Sequence, residues 1–178
     1  MLRRIACLTF LVLIATAFAA SQDDKSKRPS PPAQAQCKFP DGKTTTVDYS
    51  SPRAKGRKIF GGLVPYGEVW RTGANDATTF VTNANLTAEG KDIPAGSYTI
   101  FTVPEQDKWT LIVNKHTGEW GIPYKYESEE LARIPMQVSK TSAPVENFTI
   151  SFDQSGGACS LQVSWENTKA SVKLSEKK

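Results

Sequence analysis

Apolar and polar residues alternate with a period of two over most of this chain. In 147–153, Phe148, Ile150 and Phe152 fall on one face, and Asn147, Thr149, Ser151 and Asp153 on the other. Cys159, Leu161, Val163 and Trp165 repeat the pattern, and Ala170, Val172 and Leu174 repeat it again. Such runs predict half-buried strands. The spacers 153–158 and 166–169 read as hairpin links. Upstream, Thr45, Val47 and Tyr49 alternate after a Pro40-Asp41-Gly42 turn, and 78–82 is a short β-branched run around Phe80. Residues 86–93 turn at Glu89-Gly90-Lys91, Pro94-Ala95-Gly96 leads into 97–103, and 108–114 puts Trp109, Leu111 and Val113 on one face. Only 128–133 predicts a helix, with Ser128 as its cap. Eight or nine short strands joined by turns predict an all-β fold, an antiparallel β-sandwich more readily than a barrel.

Between residues 50 and 77 the alternation stops. This stretch holds five glycines, two prolines and five basic side chains against two acids, with Trp70 and Arg71 adjacent. A connection so long is either functional or packs on the domain as an ordered loop. Ile59, Phe60, Leu63, Val64, Val69 and Trp70 suit the second description, tucked over an open end of the sandwich. In that case Arg71 pairs with Asp76 or Glu68 and Asn75 holds a turn.

The N-terminus has a different grammar. Arg3 and Arg4 precede an apolar run over residues 5–18, and Ala17-Phe18-Ala19 gives the small-x-small pattern of a cleaved secretory signal. The run is shorter than the roughly twenty residues of a membrane span. Residues 1–19 are therefore expected to be a signal peptide, 20–35 a disordered linker rich in Ser, Pro, Gln, Lys and Asp, and 36–175 one domain. An exported protein, periplasmic or extracellular, with no stable membrane insertion after cleavage follows.

Removing the leader takes away two arginines, leaving 20 basic against 18 acidic residues and a net charge of +2. That balance gives no reason to expect nucleic acid or an anionic membrane as a partner. Two cysteines remain, Cys37 and Cys159. In an exported chain an even pair is most simply a disulfide, here buried, since both lie on apolar faces. His116 is the single histidine, and two cysteines with one histidine lack zinc spacing. No cofactor motif is present: there is no nucleophile elbow, His-Glu-x-x-His, phosphate loop or dinucleotide fingerprint.

The candidate surface is therefore the loop. Arg57, Lys58 and Arg71, with Arg53 and Lys55, offer donors to a carboxylate, phosphate or sulfate. Tyr66, Trp70 and Trp120 offer apolar faces that suit a sugar ring. Asn75, Asp76 and Lys115 complete the set of ligand-contact candidates. A second polar segment, 114–121, carries Lys115, His116, Glu119 and Trp120. Glu68 and Asp76, or Glu119 with either, form a conceivable carboxylate pair.

The run from Ser51, SPRAKGRKIFGGLVPYGEVWRTGANDATT, resembles the hallmark of an uncharacterised bacterial group, domain-of-unknown-function family 2911. The likeness continues through IPAGSYTIFTVP (93–104), WTLIVNK (109–115) and GEWG (118–121), and ends with FTISF and VSWENT near the C-terminus. It spans nearly the whole mature chain. It implies an exported bacterial β protein and brings no catalytic residues with it. The preferred expectation is a ligand-binding β-sandwich module for an anionic or carbohydrate-like ligand. The alternatives are a hydrolase or lyase of envelope or extracellular polymers, with Glu68, Asp76 or His116 as acid/base groups, and a purely structural envelope protein.

Overall fold

A computed structural model describes residue 24 and residues 27–177. The expected leader lies outside these residues, as does most of 20–26. Among these described residues, nine antiparallel strands form one continuous sheet: β1 (Pro32–Lys38), β2 (Thr44–Ser50), β3 (Thr78–Thr82), β4 (Leu86–Ala88), β5 (Lys91–Ile93), β6 (Gly96–Pro104), β7 (Lys108–Asn114), β8 (Glu130–Ser155) and β9 (Ala158–Glu176). Their order across the sheet is β1-β2-β3-β6-β7-β8-β9-β4-β5. The all-β architecture is the one that the alternation predicts. Strand β1 already pairs with β2 at Pro32↔Ser50, so the ordered domain starts before the boundary expected at residue 36. Among the described residues no helix is long and apolar enough to cross a membrane.

The two layers of the fold come from one long hairpin. Strands β8 and β9 are 26 and 19 residues long. Near Gln137↔Ser171 they continue the sheet beside β7. Register shifts between Lys140 and Val145, and again between Val145 and Thr149, interrupt the ladder and bend the pair. Past the bend the hairpin tip packs on β1 and β2. Phe148 meets Tyr49 edge to face at 5.6 Å, Ser51 Oγ donates to the Phe148 carbonyl at 2.6 Å, and Cys37 is bonded to Cys159 across 122 residues. The disulfide expected from the cysteine count thus joins β1 to β9.

Two local expectations change. Residues 166–169 are not a hairpin link. They continue β9 through a bulge at Glu166, whose φ is +53°. The bulge explains a switch of parity: Cys159, Leu161, Val163 and Trp165 point inward before it, and Ala170, Val172 and Leu174 after it. The helix expected over 128–133 is also absent. A 3-10 turn at Glu127–Glu129 leads straight into β8, where buried Ala132, Ile134 and Met136 alternate with exposed Arg133, Pro135 and Gln137. Pairing with β7 overrides the helix preference of a six-residue window.

The loop 51–77 is docked along much of its length. Its start is pinned to the hairpin bend: Ala54 N–H donates to the Glu146 carbonyl at 2.8 Å, and Phe148 N–H to the Pro52 carbonyl at 2.8 Å. Its end runs beside β6 beyond the reach of β3, where Trp70 and Thr102 exchange two backbone hydrogen bonds at 2.8 and 2.9 Å. Ile59, Phe60, Val64 and Trp70 are buried in the main core. A smaller core of Ala77, Phe101 and Ile112 forms on the opposite face of β6 and β7, with Val69, Tyr124 and Tyr126 packed on it. Both faces of this strand pair are therefore covered, one by the hairpin and one by loops.

Candidate functional site

A cavity of about 710 Å³ opens between the loop 51–77 and the segment 122–127. That volume falls within the range of small-molecule sites. Leu63, Val64, Pro65 and Val69 contribute from the loop, Ile122, Pro123 and Tyr124 from the facing segment, and Trp70 and Trp165 from below. Four charged side chains share the lining: Arg57, Arg71, Glu68 and Glu127.

The floor is rigid because it is also core. Trp70 stacks on Trp165 at 6.0 Å with 17° between the planes. It meets Phe148 edge to face at 5.0 Å and Phe60 at 6.1 Å. Its Nε1 donates to the Gly73 carbonyl at 3.1 Å. A tryptophan this committed leaves little ring surface for a ligand: Trp70 is 8% exposed and Trp165 1%.

Backbone carbonyls hold both arginines. Arg57 donates from Nε to Ala54 O at 3.0 Å and from Nη2 to Arg53 O at 2.6 Å. Arg71 donates from Nη1 to Asn75 O at 2.7 Å and Trp120 O at 3.2 Å. Its guanidinium also lies over the Trp120 ring, 4.9 Å from the centroid. Burial pulls the Arg71 guanidinium below its ordinary pKa, opposed by the charge of Asp76. Carbonyl oxygens orient a guanidinium without neutralising it, so both groups keep their appetite for an anion.

The opposite wall is positioned by a polar network that starts at the fully buried Asn114. Asn114 Nδ2 donates to Tyr124 Oη at 3.1 Å and to the Tyr126 carbonyl at 2.7 Å, while its Oδ1 accepts from His116 N–H at 2.8 Å. Tyr124 Oη donates to Glu130 Oε1 at 2.7 Å, and Glu130 takes Arg133 Nε and Nη2, each at 2.7 Å. Arg133, then burial opposing it, sets the Glu130 carboxyl below the usual carboxylate range; Tyr124 adds to the lowering. The Glu130 side chain is only 14% exposed.

A pH dependence follows. The folded-state pKa of Glu130 is depressed, so its contribution is complete above the unfolded carboxylate pKa and drains away as pH falls through the folded value. In urea titrations from pH 7 down to 3, Glu130→Gln is expected to flatten part of the wild-type loss of stability on the acid side. Parallel curves for the two proteins would remove Glu130 as the cause.

Of the ligand-contact candidates read from the sequence, the structure brings Arg57, Trp70 and Arg71 to the cavity. Lys58 is exposed and outside the lining. Tyr66 is 40% exposed and stands over Gly61. Asn75 adopts φ +58° and ties the loop to the residues just before β1 and to the end of β2, through Ser30 O at 3.0 Å and Ser50 Oγ at 3.2 Å, so its amide is structural. Asp76 faces a separate small groove with Asp48 and Tyr49. Lys115 is exposed and gives its N–H to the Glu129 carbonyl at 3.0 Å. Trp120, 54% exposed, reaches the site only through Arg71.

The acid/base candidates do not gather either. Glu68 lines the cavity, whereas Asp76, His116 and Glu119 do not. His116 stacks on Tyr126 at 4.2 Å with Nδ1 3.1 Å from Glu129 Oε1. Both carboxylate oxygens of Glu119 are buried without a hydrogen-bond partner among the described residues. Sequence reasoning read Leu63 and Trp165 as packing residues and missed both as contacts, and missed Ile122, Tyr124 and Glu127 altogether. The available signal was two large apolar residues, Leu63 and Ile122, in connections where exposure was to be expected; they are 48% and 51% exposed.

No curated protein and no solved structure matches this chain. The model of one family, described as a protein of unknown function, DUF2911, matches residues 30–174. With both the motif-bearing loop and the closing hairpin inside that span, the chain belongs to the DUF2911 family.

Proposed function

We propose that this protein is an exported ligand-binding module whose cleft, between the loop 51–77 and the segment 122–127, takes an organic anion. The observation that carries this reading is the presence of Arg57 and Arg71 on one apolar cavity, both fixed by carbonyl oxygens. Export is supported by the leader-like N-terminus and by the buried disulfide, which persists in oxidising compartments. Binding is better supported than catalysis, because only Glu68 among the acid/base candidates lines the cavity.

A thermal-shift screen of organic anions on the mature protein tests the reading, since a ligand that prefers the folded state raises Tm by mass action. At least one anion is expected to raise the Tm of wild type and to leave the Arg57→Gln, Arg71→Gln double variant unmoved. Equal shifts in the two proteins would dismiss the arginines as the site. N-terminal sequencing of protein recovered outside the cytoplasm is expected to start at Ala20.

A further inference from the structure

The chemistry of the cavity wall narrows the ligand. A sugar ring needs an open aromatic face to stack on, and this cavity has none to spare. Trp70 and Trp165 are spent on each other and on the core, at 8% and 1% exposure. Tyr124 is half-buried, with its ring packed on Phe101 at 4.7 Å and its hydroxyl bonded to Asn114 and Glu130. Trp120 lies outside the lining and carries Arg71 on its ring. What remains to meet a ligand is aliphatic: Leu63, Pro65, Val69, Ile122 and Pro123.

The mouth of the cavity points the same way. Among the described residues, four of the five large apolar side chains that stand most exposed, Leu63, Tyr66, Trp120 and Ile122, sit on the two connections that flank it. Leu63 and Ile122 belong to the lining itself and still present about half their surface to water. Apolar surface concentrated at a cavity mouth marks a place where something apolar is covered.

Charge then limits the head group. Two arginines share the lining of this cavity with two glutamates, Glu68 and Glu127. A single anionic group can sit with the arginines. A second one on the same ligand meets a glutamate.

We infer that the ligand is an amphipathic monocarboxylate, an aliphatic chain with one acid head, an inference that rests on the anion-binding reading above. The head lies with Arg57 and Arg71, and the chain lies along the aliphatic wall toward Leu63 and Ile122. Short acids lose the wall, long alcohols lose the arginines, and sugar acids keep the arginines but lose the wall.

Calorimetric titration of the mature, disulfide-bonded protein with decanoate, butyrate, decanol, decylamine and glucuronate separates these contributions. Each methylene taken from water strengthens binding by up to about fourfold. Decanoate is therefore expected to bind at least roughly thirtyfold more tightly than butyrate, even with partial burial of the chain. It is expected to exceed decanol and decylamine by roughly tenfold or more, the scale of a charge-assisted hydrogen bond. Ile122→Ser, at an exposed position that does not threaten the fold, is expected to weaken decanoate severalfold and leave butyrate alone. The Arg57→Gln, Arg71→Gln double variant is expected to bring decanoate down to the level of decanol. If glucuronate binds more tightly than decanoate, the aliphatic inference fails while the anion-binding reading stands. If decanol equals decanoate, or no anion binds, both fail.

Discussion

Replacing both Cys37 and Cys159 by serine is expected to cost this protein roughly 2–5 kcal/mol of folding stability, the usual range for losing a native disulfide. The loop closed by the bond spans 122 residues, for which the chain-entropy account gives about 4–5 kcal/mol through the unfolded state alone. Against a total of about 5–15 kcal/mol for a domain, the loss is large enough to leave a substantial unfolded fraction at 37 °C. Both sulfurs are nearly inaccessible, with Cys37 at 3% and Cys159 at 1% exposure. Reductant is therefore expected to leave the native protein intact and to act only once the chain opens. Guanidinium titrations of wild type with and without reductant, beside the double variant, test both points. Reduced wild type and the variant should coincide. If oxidised wild type coincides with them too, the bond contributes nothing.

Trp70→Ala is expected to be the most damaging single substitution in the motif-bearing loop. Truncating a buried tryptophan costs about 3–5 kcal/mol, and here the indole contacts Phe60, Trp109, Phe148 and Trp165 at once. At a few degrees per kcal/mol for a domain of this size, Tm falls by roughly 10 °C or more. Trp70→Phe keeps an aromatic ring but forfeits the 3.1 Å bond to the Gly73 carbonyl, so an intermediate loss is expected. These values come from thermal unfolding followed by circular dichroism. A Trp70→Ala protein with wild-type stability and impaired ligand binding would reverse the assignment and make the indole a contact platform.

The strands were readable because burial of one face imposes a period that propensity alone does not. Strand β7 occupies the residues that the alternation of Trp109, Leu111 and Val113 marks out. The same reading failed where two parities met: a bulge at Glu166 and a turn look alike in sequence, since both break the alternation. Ser128 to Arg133 misled for the opposite reason. Good helix formers fill that window, and the strand pattern that overrules them appears only when Ile134 and Met136 are read with it.

The site was half legible. Arg57 and Arg71 stood out because basic side chains cluster in an aperiodic loop. Trp70 stood out as well, yet nothing in a loop without periodicity says whether an indole faces water or core. The other wall was hidden. Ile122, Pro123 and Tyr124 follow β7, some fifty residues beyond Arg71 in the chain, and the Asn114 network, with bonds from Ala77 and Arg71 to the Glu119 and Trp120 carbonyls, folds that segment back beside the loop. Proximity of that kind belongs to tertiary packing and leaves no trace in local spacing.

The bent hairpin has a consequence for motion. Because β8 and β9 each pass through both layers, neither layer can open without breaking the other, and their amides should exchange only through global unfolding. The two connections that frame the cavity are held differently, by isolated bridges, turns and side-chain packing in place of a continuous ladder. Slow exchange beneath and faster exchange above would give a ligand a fixed floor with adaptable walls. Selection among ligands would then be made by the loops, while the hairpin keeps the reference frame still.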